Sequence, residues 1–371
     1  MRAGYGEIRN RPSAVRGIRG RGGSPPSSGG TRRQDTQDDC AGPDGRTPWP
    51  TRAPSISAPT TCRRRSSATA ETGARRVLVT GWFSFLHGEA TAGDLLALDR
   101  VRELLCGAAV PHDVAWSPGF RPVGPSLDDT RPEDYSHLLF VCGPAHGPQV
   151  EDLHRRYRDC VRIAVGNSVL DAEDPAVHGF HHVLARDAPD TVPTLDLAAR
   201  APVPPAHPVV GVVLTHGQHE YGPRRQHERV AESVTRWLNG RDCACLELET
   251  RLDPHDWRLC TTSGQLESVL ARCDLVVTDR LHGLVLALRA GVPALAVDPV
   301  AGGAKVTAQA RACGWPALLP AERLDTAALD RWWDWCLTSG RDLAERTAEG
   351  FRGNGTADGA DGLLRLLGAS R

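Results

Sequence analysis

Residues 274–298 read DLVVTDRLHGLVLALRAGVPALAVD. "DLVVTD" has the length and β-branched content of a buried strand. "GLVLALRAG" is a short apolar helix closed by Gly291, and "PALAVD" is a second buried strand, expected to be the last of the chain. Strand, short helix and strand in direct succession make a βαβ unit, whose strands run parallel and are buried on both faces. At the junction of strand and helix stands "TDRLH". It sets Asp279, Arg280 and His282 between two apolar elements, where polar groups are costly unless they have work to do.

The same alternation extends outward. Before the unit come a strand in "VVGVVLTHG", a helix in "RRQHERVAESVTRWLNG" ended by Gly240, a strand in "CACLELE" and a helix in "SGQLESVLARC" capped by Ser263. After it, "DTAALDRWWDWCLTSG" and "GADGLLRLLGAS" read as closing helices, and packing accounts for Trp332, Trp333 and Trp335. Further upstream, "VLVT" from Val77, "HDVAWSP", "SHLLFVCGPAHG", "CVRIAVGNSV" and "HHVLARDAP" read as five strands. The helix "AGDLLALDRVRELLCGAA" follows the first of them, with Asp94 at its start, and His181-His182 precede the fifth. Between the two series lies "ARAPVPPAHP", a Pro/Ala linker. The expected organisation is therefore an α/β domain over 75–200, a second α/β domain over 206–371, and a tail over 1–73.

That tail is rich in Gly, Pro, Ser, Thr and Arg, without hydrophobic periodicity, and is expected to be disordered. It carries fifteen Arg against six acids as far as Arg76, so the chain's net charge of −1 divides into a basic tail and an acidic body. Weak attraction to polyanions follows from the charge, but no specific nucleic-acid partner does. The tail lacks an apolar h-region, so Arg32-Arg33 is not an export signal. No apolar run reaches the roughly 18 residues of a membrane span, and a cytoplasmic protein is expected. The eleven cysteines are scattered, without CxxC or zinc spacing, and no metal is expected. Cys142 reads as core rather than as a nucleophile, and Gly93-Asp94 is too short for a dinucleotide fingerprint.

Ligands of parallel α/β sheets gather at the carboxyl ends of strands, and "TDRLH" lies at such an end. Thr278 or Asp279 is expected to cap the following helix, whose free N–H groups and positive dipole end, together with Arg280, would bind a phosphate or carboxylate. His282 sits one turn in, within reach of the same anion. The next strand leads into "DPVAGGAKV", where Lys305 is the only lysine of the chain. Adjacent strand ends in a βαβ unit are neighbours, so Lys305 is expected to face the anion too. Two further loops follow first strands: "FLHGEATAGD" offers His87 and Glu89, and "THGQHEYG" offers His216, His219 and Glu220.

With those residues in view, "VVTDRLHGLVLALRAGVPALAVD…AKV" resembles the C-terminal signature of the polysaccharide pyruvyl transferase family: a strand, Arg-x-His, a short apolar helix, Ala-Gly-Val-Pro, a strand and a Lys-Val loop. "GEATAGDLLALD", "LLFVCGPAHG" and "VLARDA" resemble other parts of the family pattern. The family commonly has an asparagine just ahead of Gly-Asp, where this chain has Thr91-Ala92, and a run of glycines where it has "CGPAHG". The resemblance implies two Rossmann-like domains facing each other across a cleft, as in GT-B glycosyltransferases. It implies transfer of pyruvate from phosphoenolpyruvate to two hydroxyls of a sugar as a ketal, with release of phosphate and no resident cofactor. Arg280 and His282 would be the catalytic pair, with His282 the general acid or base. Lys305, Asp279, His216, His219, Asp94, Arg186, His87 and Glu89 would contact phosphoenolpyruvate or the carbohydrate acceptor. Two rival readings share the architecture: a GT-B glycosyltransferase using a nucleotide sugar, and a non-catalytic binding protein. Absence of an acid from "GLVLALRAG" disfavours the first, and retention of Arg280, His282 and Lys305 together disfavours the second.

Overall fold

Both halves of the chain fold as the alternation requires. The computed structural model describes residues 75–86, 88, 90–120, 124–215, 220–353, 360 and 362–367. The tail over 1–73 lies outside the described residues, as do the candidates His87, Glu89, His216 and His219.

The first sheet contains β1 (Val77–Thr80), β2 (His112–Val114), β3 (His137–Val141), β4 (Val161–Val165) and β5 (His182–Leu184), with helices α1 (Ala92–Gly107), α2 (Pro148–Arg156) and α3 (Pro175–His178). Its strands are parallel, in the order β2-β1-β3-β4-β5. An exposed segment without regular secondary structure, 202–207, leads out of it. The second sheet contains β6 (Val209–Val213), β7 (Ala244–Glu247), β8 (Leu275–Thr278), β9 (Ala294–Asp298) and β10 (Leu318–Pro320). Helices α4 (His227–Leu238), α5 (Ser263–Leu270), α6 (Leu281–Arg289) and α7 (Lys305–Ala312) connect these strands, and α8 (Thr326–Cys336), α9 (Ser339–Arg352) and α10 (Leu363–Leu366) follow. Its order is β10-β9-β8-β6-β7, again all parallel. Read from the other edge, that is the order of the first sheet. In each, the chain reverses its direction of strand addition beside the first strand, between β1 and β3 and between β6 and β8. Loops leaving the sheet diverge at such a point and open a crevice at the carboxyl ends.

Local chemistry explains most element starts. Thr91 and Asp94 form a reciprocal capping box at α1, and Thr262 and Gln265 form another at α5. The cap of α5 is thus Thr262 rather than Ser263, which is the first helical residue. β8 and β9 are buried at every position, as strands covered on both faces should be. Leu284, Ala287 and Leu288 of α6 join them in one core with Val306 and Ala310 of α7; each fully buried Leu contributes roughly 1.5–3 kcal/mol. The tryptophans pack as expected: Trp332 and Trp333 are buried, and Trp335 stands edge-on to Trp332 and to Trp315 with ring centroids 5.4 Å apart.

Four expectations need correction. β9 is not the last strand, because the three-residue β10 pairs with it. Lys305 begins a helix rather than lying in a loop. Of the expected final helix only Leu363–Leu366 is helical among the described residues, and a longer helix, α9, precedes it. His182 belongs to β5 instead of preceding it.

Gly283 fixes how closely α6 approaches the sheet. A Cβ there would lie 2.1 Å from Thr278 Oγ1 and 3.2 Å from Val213 Cγ1. Thr278 cannot swing aside freely, since its hydroxyl donates to Val213 O at 2.8 Å and accepts from Arg280 N at 3.0 Å. Gly283→Ala is expected to lower stability by about 1–3 kcal/mol, as overpacking does. Gly264→Ala in α5, where a Cβ meets nothing within 4 Å, should gain about 0.5–1 kcal/mol. Denaturant midpoints test both, and a neutral Gly283→Ala would contradict the close approach.

Candidate active site

At the carboxyl end of β8 the polar residues divide their tasks. Asp279 is 1% exposed, and its Oδ1 accepts from the backbone N–H of Thr215 at 2.7 Å. It ties the end of β8 to the end of β6 across the point where the sheet's connections diverge. The expectation that Thr278 or Asp279 caps α6 is therefore corrected. The N-cap position is Arg280, and no side chain caps the helix. Thr278 bonds the Arg280 N–H just outside the helix, and Asp279 is drawn to the neighbouring strand. The result is a helix N-terminus without a side-chain cap beneath a cation, an arrangement suited to an anion.

Arg280 is one-quarter exposed, and its Nη1 pairs with Glu249 Oε1, just beyond β7. Burial pushes the Glu249 carboxyl up, but a hydrogen bond from Arg251 N at 3.0 Å and the Arg280 charge outweigh it and hold the group below its ordinary value. The guanidinium is thereby aimed, and its other nitrogens have no hydrogen-bond partner among the described residues. His282 is exposed in the first turn of α6 and has no hydrogen-bond partner among the described residues.

Lys305 reaches the same place from β9. The carboxylate of Asp298, fully buried at the end of that strand, accepts from Val300 N at 3.1 Å, Ala304 N at 2.7 Å, Thr307 N at 2.8 Å and Thr307 Oγ1 at 2.7 Å. It folds the intervening loop into a hairpin and starts α7. Gly302 and Gly303, both with φ of 77°, supply the left-handed backbone this requires. Lys305 Nζ lies 3.9 Å from Glu220 Oε1 and 5.6 Å from the centre of the Tyr221 ring. Arg280, Leu281, His282 and Lys305 line one pocket of about 90 Å³. That is far below the roughly 300–1,000 Å³ of pockets that bury drug-sized ligands, and suits one anionic group. Two larger hollows, about 320 and 410 Å³, lie at the other end of α6 around Ala290 and α9. The nearby arginines Arg289 and Arg341 are ion-paired to Glu267 and Asp274.

The first-sheet candidates have structural partners. The Asp94 carboxylate accepts from Thr91 N and Oγ1 in the α1 capping box. Arg186 donates to Asp187 at 2.7 Å, Asp196 at 2.6 Å and Ser168 Oγ at 2.5 Å, and the bonds to the two aspartates, Asp187 first, raise its already high pKa. It is a clamp for the loop after β5.

Four residues of the second-sheet site escape a reading of the sequence: Glu249, Asp298, Tyr221 and His227. Only Asp298 carries a signal, an acid at the end of a buried strand. His227 is 1% exposed beside the Tyr221 ring, with Nδ1 lacking a partner among the described residues. Burial first, then Arg225, holds its imidazole below the ordinary value.

The family model described as polysaccharide pyruvyl transferase matches residues 259–299, the span from α5 through β9 that carries Arg280 and His282. The part of the site that carries Arg280 and His282 thus has the pattern of a transferase family, and Lys305 lies beyond the matched span. No curated protein matches the chain. Among solved structures, a spinosyn rhamnosyltransferase, SpnG, complexed with thymidine diphosphate shares 13% identity over 79% of this chain and 100% of its own, with a TM-score of 0.28. A glycotransferase of kitacinnamycin shares 11% over 80% and 99%, at 0.29. The UDP-GlcNAc 2-epimerase from Methanocaldococcus jannaschii shares 8% over 79% and 99%, at 0.28. TM-scores this low assign nothing to this chain.

Because His227 is held neutral in the fold, the unfolded chain takes up its proton first, near pH 6.5. Stability is then fully present above about pH 6.5 and declines as pH falls towards the lower folded value. Half-buried His137 and His154, whose pKa values are lowered first by desolvation, act in the same direction. Thermal melts between pH 7.5 and 5.5 should show the decline, with a shallower slope in His227→Gln. An equal slope in the variant would remove His227 from the account.

Proposed function

We propose that this protein transfers pyruvate from phosphoenolpyruvate to two hydroxyls of a sugar or polysaccharide, forming a ketal and releasing phosphate. The observation that carries this reading is the shared pocket of Arg280, His282 and Lys305 at the uncapped start of α6. Phosphoenolpyruvate presents a carboxylate and a phosphate, and the pocket offers a guanidinium, an ammonium and helix N–H groups to receive them. Arg280, aimed by Glu249, takes one anion together with the helix terminus, and Lys305 takes the other. His282, exposed beside both, moves a proton as general acid or base, a role an imidazole can fill because its ring nitrogens both donate and accept.

The small pocket and the lack of any acid in α6 support an anionic donor over a nucleotide sugar. The reaction as proposed uses phosphoenolpyruvate as co-substrate without a resident metal or cofactor, and we place it in the cytoplasm. No helix among the described residues is long and apolar enough to cross a membrane.

Thermal stabilisation tests the reading. Phosphoenolpyruvate at 100 times its Kd should add about 2.7 kcal/mol, and the shift should vanish in Arg280→Ala relative to that variant's own unliganded melt. Stabilisation by a nucleotide sugar alone would replace pyruvyl transfer with glycosyl transfer, and no response to either would leave a binding protein.

A further inference from the structure

The sheets repeat one topology, and an imidazole follows the third strand of each: His282 after β8, and His146 after β3. His146 was not among the residues singled out from the sequence, yet its loop is unusually determined. Cys142 has a φ of 62°, a left-handed conformation that a residue with a Cβ rarely adopts. The fully buried Asn167 holds it there, its Nδ2 donating to Cys142 O at 2.6 Å and Gly143 O at 3.3 Å. Trp82 Nε1 donates to Pro144 O at 3.1 Å, and Ala145 N to Ser168 O at 3.1 Å. Backbone held in such a conformation by its surroundings is most often found at functional sites.

The loop delivers His146 to Asp174. That carboxylate is fixed: its side chain is 12% exposed, and Oδ1 accepts from Ala176 N at 2.8 Å at the start of α3. Oδ2 accepts from His146 Nδ1, and this bond, then the one from Ala176, holds the Asp174 carboxyl below its ordinary value. A carboxylate only accepts, so Nδ1 carries the proton. In the neutral ring the lone pair is then on Nε2, on a side chain 61% exposed. His178 and Glu173, 3.9 Å apart, and Asp171, which accepts from Glu173 N at 2.9 Å, are the other ionisable groups of α3 and its approach. An imidazole turned by a fixed carboxylate, with its other nitrogen on an exposed ring, has the geometry of a general base.

We propose that His146, positioned by Asp174, is the base for the acceptor hydroxyl. This rests on the pyruvyl transfer reading. As a sugar hydroxyl attacks C2 of the donor, its O–H bond breaks, the electron pair forms the new O–C2 bond, and the proton passes to His146 Nε2. His282 supplies the proton that converts the donor's CH₂ carbon to methyl. The C2–O bond to phosphate then breaks with the pair leaving on phosphate, and the second hydroxyl of the same sugar attacks C2. His146 hands the first proton to the departing oxygen, so phosphate leaves as the hydrogen phosphate ion, and the ring, neutral again, takes the proton of the second hydroxyl; exchanged through water, that proton replaces the one His282 gave to carbon. Two imidazoles thus divide the proton transfers between donor and acceptor.

The test uses the full chain, phosphoenolpyruvate and a panel of methyl hexopyranosides, following phosphate release and, in D₂O without acceptor, deuterium entry at C3 of the donor. His146→Ala should lower kcat for phosphate release by about 10²–10⁴-fold, leave KM for phosphoenolpyruvate unchanged, retain deuterium exchange and regain turnover with added imidazole. Asp174→Asn, which preserves the α3 cap, should lower kcat by a smaller factor that imidazole does not restore. Wild-type turnover with an unimpaired His146→Ala, or a loss that also abolishes deuterium exchange and resists imidazole, overturns the dyad alone. A wild type that neither exchanges nor releases phosphate overturns the pyruvyl transfer reading and the dyad with it.

Discussion

A buried carboxylate joins the ends of β6 and β8, and the site depends on where it does not go. An aspartate one residue ahead of an N-cap ordinarily competes for the first N–H groups of the helix. Asp279 instead bonds the Thr215 N–H across the sheet. Had it folded back onto α6, a negative charge would occupy the place an anion needs, and the positive end of the helix would be neutralised. The strand-to-strand bond settles both matters, because it fastens the loop after β6 and leaves the start of α6 open beside Arg280.

A second buried carboxylate does the opposite at the next strand. Asp298 stays local and gathers its own loop, bonding Ala304 N and Thr307 N so that α7 begins at Lys305. Neighbouring strands thus use the same residue type at the same end for different ends: one keeps a helix start vacant, the other fills one in order to aim a cation. Parallel pairing makes this possible, since β8 and β9 deliver their loops to one side of the sheet.

What the sequence discloses follows the strength of its periodic signals. β8, α6 and β9 are unbroken apolar runs with Gly291 and Pro293 between helix and strand, and their reading holds to within a residue or two. β10 is three residues ending in proline, and the inward face of α9 is formed by Gly340, Ala344 and Ala348, which carry little hydrophobic contrast. The start of α7 escapes because its capping acid stands six residues ahead of Ala304, outside any local pattern. Glu249 escapes because its partner Arg280 is 31 residues away in sequence. Asp94 and Arg186 have structural partners that the sequence discloses unequally. Thr91 is a local partner that a capping-box pattern could announce, whereas Asp196 and Ser168 meet Arg186 only through the fold.

The lone lysine gives the pocket a chemical identity beyond its geometry. Every other basic side chain except histidine is a guanidinium, so among side chains Lys305 is the single primary amine and, at 37% exposure, an accessible one. Acylating or reductively alkylating reagents directed at amines therefore have one side-chain target, and it lines the anion site. Acetylation, ubiquitin conjugation or glycation of a lysine in this protein likewise has one possible address. Any such modification changes the charge or the bulk of that site directly, so lysine chemistry in this chain cannot be silent with respect to its pocket.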